Sequence, residues 1–462
     1  MTEIEAFRRQ MPPPLQPRPL NLPEHFEIKL PNGLGLVVVE DKRLPLISFR
    51  LAFRSGDAND PPALPGLSDM MTHLLTEGTA TRSSREIAEQ VERLGATLTV
   101  GSGSDFTTVA ASSLSLYAEE ILELLAEVTL SPSFPQNEID LARENTKQLL
   151  IQQRAQPNFL ASERLAQVLF GEHPYARVSP TPESLDALNR EDLVRFREST
   201  FIPNNAVMII VGDVESDSIV ARVEQLLGSW QPGEPPDSDF PALPKRAARG
   251  AYLVDRRGSA QSNIVIANRG ITRTSRDYFP MLLMHTVLGA NASSRLFMNL
   301  REEKGYTYGA YSNLDARRLA GTFRATAEVR TPVTGASLHE FFYELNRVRD
   351  EAVSDEEIKN AKSYLTGVFP IRIETQDGLT DQLVSIRMYD LPDDYLQTYR
   401  NRINAVTAED IQRVAQEYVR PEEAAIVIVG DAAETSEQVK PYSETTELYD
   451  TEGNRKQPEA KS

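Results

Sequence analysis

Residues 187–213 read ALNREDLVRFRESTFIPNNAVMIIVGD, and residues 405–431 read AVTAEDIQRVAQEYVRPEEAAIVIVGD. Glu191-Asp192-Leu193 of the first stretch falls on Glu409-Asp410-Ile411 of the second, and Gly212-Asp213 falls on Gly430-Asp431. The offset is the same in both cases, since 409 − 191 equals 430 − 212. Each copy sets out an amphipathic helix with an acidic first turn, a proline-bearing turn (Pro203, Pro421) and an apolar strand that ends at Gly-Asp. Two such units in unbroken register imply a duplicated domain, so the chain has to build one kind of core twice.

A length of 462 residues agrees with that, being too great for one ordinary core. WQPGEPPDSDFPALPKRAARG, residues 230–250, is dense in proline and mixed charge and marks an exposed connection. The expected plan is a flexible N-terminal segment (1–20), a first domain (21–230), a linker (231–249), a second domain (250–433) and a polar, mobile tail (434–462). Within the first half, HFEIKLPNGLGLVVVED carries an Asn32-Gly33 turn between alternating apolar runs, a hairpin signal. LPLISFRLAFRSGD, TLTVGSGS and FTTVAASSL read as further strands. SSREIAEQVERLGA, YAEEILELLAEVTL and NEIDLARENTKQLLIQQ read as helices. This mixture predicts α+β domains, each an antiparallel-rich sheet covered by helices.

GLSDMMTHLLTEGT, residues 66–79, is bounded like a short helix by Pro65 and Gly66 before it and Gly78 at its end. Asp69, Thr72 and His73 sit at i, i+3 and i+4, on one face. A zinc hydrolase would need a ligand, a general base and a second ligand at those places, and only His73 is of the right type. The other histidines, His25, His173, His285 and His339, form no ligand-spaced cluster and read as structural or surface groups. LGANASSRLFMNLREEKGYTYGAYS, residues 288–312, predicts a helix capped by Ser293 or Ser294, with Leu296, Phe297 and Leu300 on its buried side. Gly305 stops that helix, Arg301 lies in its last turn, and a strand through Tyr306, Thr307 and Tyr308 follows.

The formal charge of −18 excludes nucleic acid as a partner, since phosphate binding needs a basic surface; it suits basic peptides, or solubility alone. Without cysteine there are no disulfides, thiolate metal sites or cysteine nucleophiles. MTEIEAFRRQMPPPLQPRPLNLP has no apolar core of the signal-peptide or membrane-spanning kind. The compartment stays open: periplasmic if a leader has been removed, cytoplasmic otherwise.

The order of these pieces resembles the pitrilysin and mitochondrial-processing-peptidase family, the inverted zinc peptidases whose signature is H-x-x-E-H. The resemblance is carried by GT after the first helix, LGA after the next, SDFT beyond, the two Gly-Asp strand ends and S-R-L-F…L-R-E…G-Y-x-Y. It implies a two-domain α+β unit, usually paired with a second such unit around a chamber. Carried over by position, Asp69 stands for the first His, Thr72 for the catalytic Glu, and His73 keeps the second His. The third ligand, a Glu on a later helix, falls on Leu149, in the register past His73 that the resemblance implies. The expectation is that this chain holds no zinc, and that Leu149 fills an apolar slot where a carboxylate would be destabilising. The rival is a rearranged site of Asp69 and His73 with Glu144 or a water.

The same resemblance gives Arg301 and Tyr308, seven residues apart (308 − 301), as the family's substrate-contacting Arg and Tyr. A guanidinium can hold a peptide carbonyl or carboxylate with two donors, and a phenol can stabilise an oxyanion. Against this, Arg301 would also suit a helix C-terminus and Tyr308 simple sheet packing. Arg295 is expected to be structural, paired with an acidic neighbour, and Tyr306 to pack. Some peptidases of this family divide the zinc motif and the Arg/Tyr motif between subunits. The implied role is therefore the zinc-free subunit of a heterodimer whose zinc-bearing homologous partner brings the metal, with peptides or small unfolded proteins as substrates. A homodimer is the other pairing. An inert structural subunit is the alternative function, and an autonomous metallopeptidase the weakest.

Overall fold

The computed structural model describes residues 22–237 and 239–456, so the expected N-terminal segment 1–20 lies outside the described residues. The first half begins β1 (His25–Lys29), β2 (Gly35–Glu40), β3 (Leu46–Phe53), α1 (Leu67–Leu74), α2 (Ser84–Arg93), β4 (Thr97–Ser102) and β5 (Thr107–Leu114). It continues α3 (Ala118–Leu130), α4 (Gln136–Arg154), α5 (Pro157–Phe170), α6 (Pro182–Ala187), α7 (Arg190–Thr200), β6 (Ala206–Gly212) and α8 (Ser216–Leu227). The second half begins β7 (Gly250–Asp255), β8 (Gln261–Gly270), α9 (Tyr278–Gly289) and α10 (Arg295–Phe297), which runs on as a π-helical turn (Met298–Glu303). Then come β9 (Thr307–Ala316), β10 (Gly321–Arg330), α11 (Thr334–Asp350), α12 (Asp355–Arg372), α13 (Gln376–Met388) and α14 (Tyr395–Ala405). α15 (Ala408–Tyr418), β11 (Ala425–Gly430), α16 (Ala432–Val439), β12 (Thr445–Tyr449) and β13 (Arg455–Lys456) complete it.

The duplication is visible strand by strand. One sheet runs β1-β2-β6-β3-β5-β4 and the other β13-β12-β7-β11-β8-β10-β9, so β2, β6, β3, β5 and β4 correspond to β7, β11, β8, β10 and β9. In each sheet the repeat's strand, β6 or β11, lies between a parallel neighbour and an antiparallel one. Both strands are buried along nearly their whole length, which is why AVMIIVG and AIVIVG are continuously apolar rather than alternating. The helices before them open at Asn189 and Thr407, whose side chains accept the N–H of Asp192 and Asp410 in matching capping boxes.

The halves exchange a helix. α5, from the first half, packs on β11 and β8 of the second sheet, and α13, from the second half, packs on β3 and β6 of the first. The two helices are repeat equivalents: they end at Phe170 and Met388, and 388 − 170 equals the offset between the repeated stretches. Leu379, Leu383 and Val384 of α13 share a core with Val37, Val39, Ala52 and Ile209 of the first sheet. Burying each such side chain contributes about 1.5–3 kcal/mol, so the exchanged helix binds the halves firmly. Arg50 of β3 adds bonds to Asp377 (2.9 Å) and Asp381 (3.0 Å) of that helix.

The described part of the tail, residues 434–456, differs from expectation. It is no free tail: the boundary cuts α16, and β12 adds to β7 in parallel. Tyr449 of β12 is buried beneath the Arg164 guanidinium, 3.4 Å from its ring, and Arg164 donates to the Gly453 carbonyl at 2.8 Å. The strand TTELY is short, polar on one face and stable only against the waiting edge of β7, so its own sequence carries little signal.

Candidate functional site

α1 is started by backbone and carboxylate together. Gly66 takes the left-handed conformation (φ 89°) at its N-cap, and a Cβ there would lie 2.6 Å from the Pro180 side chain. The buried Asp60 carboxylate accepts the N–H of Gly66 (2.7 Å) and of Ser68 (2.9 Å), and Ser68 Oγ donates to Asp57 (3.0 Å). Leu67, Met70, Met71 and Leu74 fill the first core, with α4, α7 and β4 around the helix. Asp69 and His73 are left on the exposed side.

Thr72 is not beside them in the expected sense. It is buried, and its Oγ1 donates back to the Asp69 carbonyl at 3.0 Å, so its hydroxyl is spent on the helix. Leu149 also departs from expectation. It is 50 % exposed on α4, and the neighbouring Leu150 is the residue that points into the core. The apolar letter at 149 therefore does not mark an apolar slot.

Electrostatics at α1 are unusual. Burial raises the Asp69 carboxyl to about 7, helped by the charges of Asp57 and Asp60. Asp60 is raised to about 6, by burial against the opposing Ser68 N–H bond, and Asp57 is raised, again chiefly by burial. Asp69 is solvent-accessible, yet loss of hydration is its leading cause. Sequence reading missed Asp57 and Asp60; the acid-bearing loop SGDANDPPALPG just before the helix was the available signal.

This donor set does not fit zinc. His73 offers one imidazole and Asp69 one carboxylate, Thr72 is turned to its own backbone and Leu149 has no donor atom, so at most two of the three protein ligands a zinc site needs are present. Glu144 of the rearranged alternative pairs with Lys147 at 3.1 Å, and among the described residues no three His, Asp or Glu side chains converge to hold a metal. Among the remaining histidines, His25 and His339 are exposed. His173 is buried, its Nδ1 accepting the Tyr175 N–H at 3.1 Å, and His285 is half-buried, 2.8 Å from Ser312 Oγ, with loss of hydration pushing its pKa down to about 4.

The second half presents Arg301 and Tyr308. Arg301 leaves the π-helical turn toward solvent, its guanidinium 4.7 Å from the Phe297 ring and 3.5 Å from Glu302. Tyr308 is 90 % exposed on β9, the last strand of its sheet. A bulge puts it there: Thr307 pairs with Val329 and Ala310 with Ala327, so Tyr308 and Gly309 together face Glu328 alone. Thr307 Oγ1 clamps the bulge, donating to the Gly309 carbonyl (2.9 Å) and accepting the Gly309 N–H (3.1 Å). A Cβ on Gly309 would lie 2.6 Å from the Tyr311 ring. Tyr308 does not pack in the sheet, and no described residue bonds its hydroxyl. Arg295 is buried and pairs with Glu357, and Tyr306 is half-buried.

The structure does not gather these groups into one site. α1 is surrounded by α4, α7 and β4 of the first half, and the Arg301 turn by β9, α10 and α11 of the second.

Residues 36–182 match the family described as Insulinase (Peptidase family M16), and residues 187–365 match the one described as Peptidase M16 inactive domain. The chain is 22% identical to the "Uncharacterized zinc protease YmxG" of Bacillus subtilis, over 84% of this chain and 93% of that one. It is 23% identical to the "Non-peptidase homolog YmxG" of Helicobacter pylori, over 90% and 95%. Among solved structures, a peptidase M16 inactive domain from Pseudomonas fluorescens superposes with a TM-score of 0.83 at 25% identity, covering 88% of this chain and 98% of that one. A protease from Helicobacter pylori has the same fold, with a TM-score of 0.83 at 19% identity over 88% and 100%.

Proposed function

The chain belongs to peptidase family M16, and we propose that within it the protein is a zinc-free subunit that works in trans. Arg301 and Tyr308 would complete the H-x-x-E-H site of a zinc-bearing homologous partner, and peptides would be cut in the space between the two chains. The observation that carries this reading is an asymmetry between the halves. Every position that would hold or serve the metal, His73 excepted, is chemically spent or wrong, whereas Arg301 and Tyr308 stand ready: the phenol hydroxyl meets no protein group among the described residues.

The chemistry assigned to this chain is limited to what its own groups can do. The Arg301 fork receives a peptide carbonyl or carboxylate and fixes the substrate's position. The Tyr308 hydroxyl donates to the carbonyl oxygen as negative charge gathers there, an interaction strongest in the transition state. The name "Non-peptidase homolog" given to the Helicobacter relative supports inactivity of such a chain on its own.

The test is to purify this chain alone, a zinc-bearing M16 chain of the same genome alone, and the two mixed, and to assay a panel of unstructured peptides. Hydrolysis that requires both chains and falls with Arg301→Ala supports the reading. A stable complex whose activity ignores both Arg301→Ala and Tyr308→Phe assigns the chain a scaffolding role instead.

A further inference from the structure

We propose that Asn299 is a positioning residue for Arg301, fixing from beneath the π-helical turn that carries the guanidinium. This rests on the reading of Arg301 as a substrate-holding group, and it adds the element that would set the direction of that group.

A π-helical turn does not persist by default. It holds one residue more per turn than an α-helix, is rarely stable in isolation, and recurs at functional sites. Here the Lys304 N–H reaches the Asn299 carbonyl at 3.0 Å, a bond across five residues, and the Tyr306 N–H reaches the Leu300 carbonyl at 2.9 Å. Taking one residue out of that register would turn the residues that follow by about 100° about the helix axis relative to those before it, and so re-aim the segment from Arg301 to Tyr308.

Asn299 is the only polar residue of the turn that is buried, at 6 % exposure. Its backbone accepts the wide bond, and its side chain ties the turn to α11: Nδ2 donates to Glu344 Oε1 (2.9 Å) and Glu340 Oε2 (3.1 Å). Glu344 is itself 2 % exposed. The two carboxylates are neutralised from outside, Glu340 by Lys304 Nζ (3.2 Å) and Glu344 by Arg347 (3.5 Å). The amide therefore closes a sandwich of cation, carboxylate and donor on each side. Its own Oδ1 has no partner, so the two donated bonds alone set its orientation. The contact requires a neutral donor. An aspartate would face two carboxylates and repel them, and an alanine would leave the turn without an anchor.

The experiment uses the full chain with 15N-labelled arginine, reading the Nε–H signals of Arg301 and, as the control for folding, of buried Arg295. In Asn299→Asp and Asn299→Ala the Arg301 signal should shift or broaden while that of Arg295 stays in place. Arg301 unchanged in both variants overturns the proposal, whatever the activity. Loss of both signals in Asn299→Asp passes the decision to Asn299→Ala, which adds no charge. In the reconstituted pair, Asn299→Ala should lower kcat/KM at least tenfold alone and by less than twofold on top of Arg301→Ala. A full tenfold loss added to Arg301→Ala would also overturn the proposal, because Asn299 would then act elsewhere. A pair with no activity to lose refutes the function proposed above, and leaves the Arg301 signal to decide the role of Asn299.

Discussion

Arg295 and Glu357 meet fork to fork, Nε to Oε1 at 2.6 Å and Nη2 to Oε2 at 3.0 Å, and so pin the start of the Arg301-bearing helix to the start of α12. Burial pushes the Glu357 carboxyl up. The Arg295 hydrogen bonds and charge and the Ser354 backbone N–H more than offset this, and hold it at about 2.

Arg295→Ala should therefore act on stability, lowering it by roughly 2–4 kcal/mol, somewhat less than for a wholly buried pair because Glu357 partly reaches water. A carboxyl held below its unfolded value stabilises the fold above about pH 4.5 and loses that contribution as pH falls toward about 2. The gap in melting temperature between wild type and variant should be full at pH 7 and shrink below pH 4.5. A gap independent of pH would mean that the lost energy is packing, not the ion pair.

Asp69 has the opposite sign. Its folded value, about 7, lies above the ordinary carboxyl value of 3.8, so the folded state holds the proton more tightly and stability falls as pH rises between about 4 and 7. Asp69→Asn, which keeps the shape and removes the charge, should raise the melting temperature at pH 8 and leave it nearly unchanged at pH 4. Asp60→Asn would not serve, since Asp60 also caps α1 through Gly66 and Ser68. Melting curves of wild type and Asp69→Asn at both pH values make the comparison.

Restoring Asp69→His, Thr72→Glu and Leu149→Glu together should give weak zinc binding and little turnover, because nothing around α1 orients such ligands. Among the single changes, Thr72→Glu should be the most destabilising, since it forces a carboxylate into a buried position; that costs on the order of a few kcal/mol. Leu149→Glu, at a half-exposed position, should be nearly neutral. Thermal melts rank the three, and elemental analysis reads the metal.

What the residues disclosed follows from how local each feature is. The helices and strands of the repeat were legible because acidic caps and doubly buried strands leave their mark in consecutive letters. Arg301 and Tyr308 were singled out through a motif, and the structure adds that a π turn and a bulge, neither with a sequence period of its own, aim them outward. The exchange of α5 and α13 was hidden, since amphipathicity says which face of a helix is apolar and not which sheet it covers. Leu149 misled for the same reason, an apolar letter being read as an apolar surrounding. Asp57 and Asp60 lie in the loop just before the helix, and the turn through Gly66 brings them near Asp69, a folding-back that the letters alone do not show.

Thr307→Val tests whether Tyr308 is presented or merely exposed. Valine keeps the branched shape and the strand preference of threonine but removes the hydroxyl that holds both backbone groups of Gly309. The bulge should relax, and Tyr308 should lose its fixed direction while keeping its phenol. Tyr308→Phe keeps the direction and removes the donor. In the reconstituted peptidase, loss of such a donor typically lowers kcat by roughly 10²–10³, about 3–4 kcal/mol, with melting temperature and subunit association nearly unchanged. Thr307→Val should lower kcat less, roughly tenfold, at similar KM, because the hydroxyl still reaches the oxyanion for part of the time. The double variant should be no slower than Tyr308→Phe alone, since without the hydroxyl its aim has no consequence. Steady-state kinetics of the three variants decide it. Additive losses would show that Thr307 supports the chemistry by some route other than Tyr308.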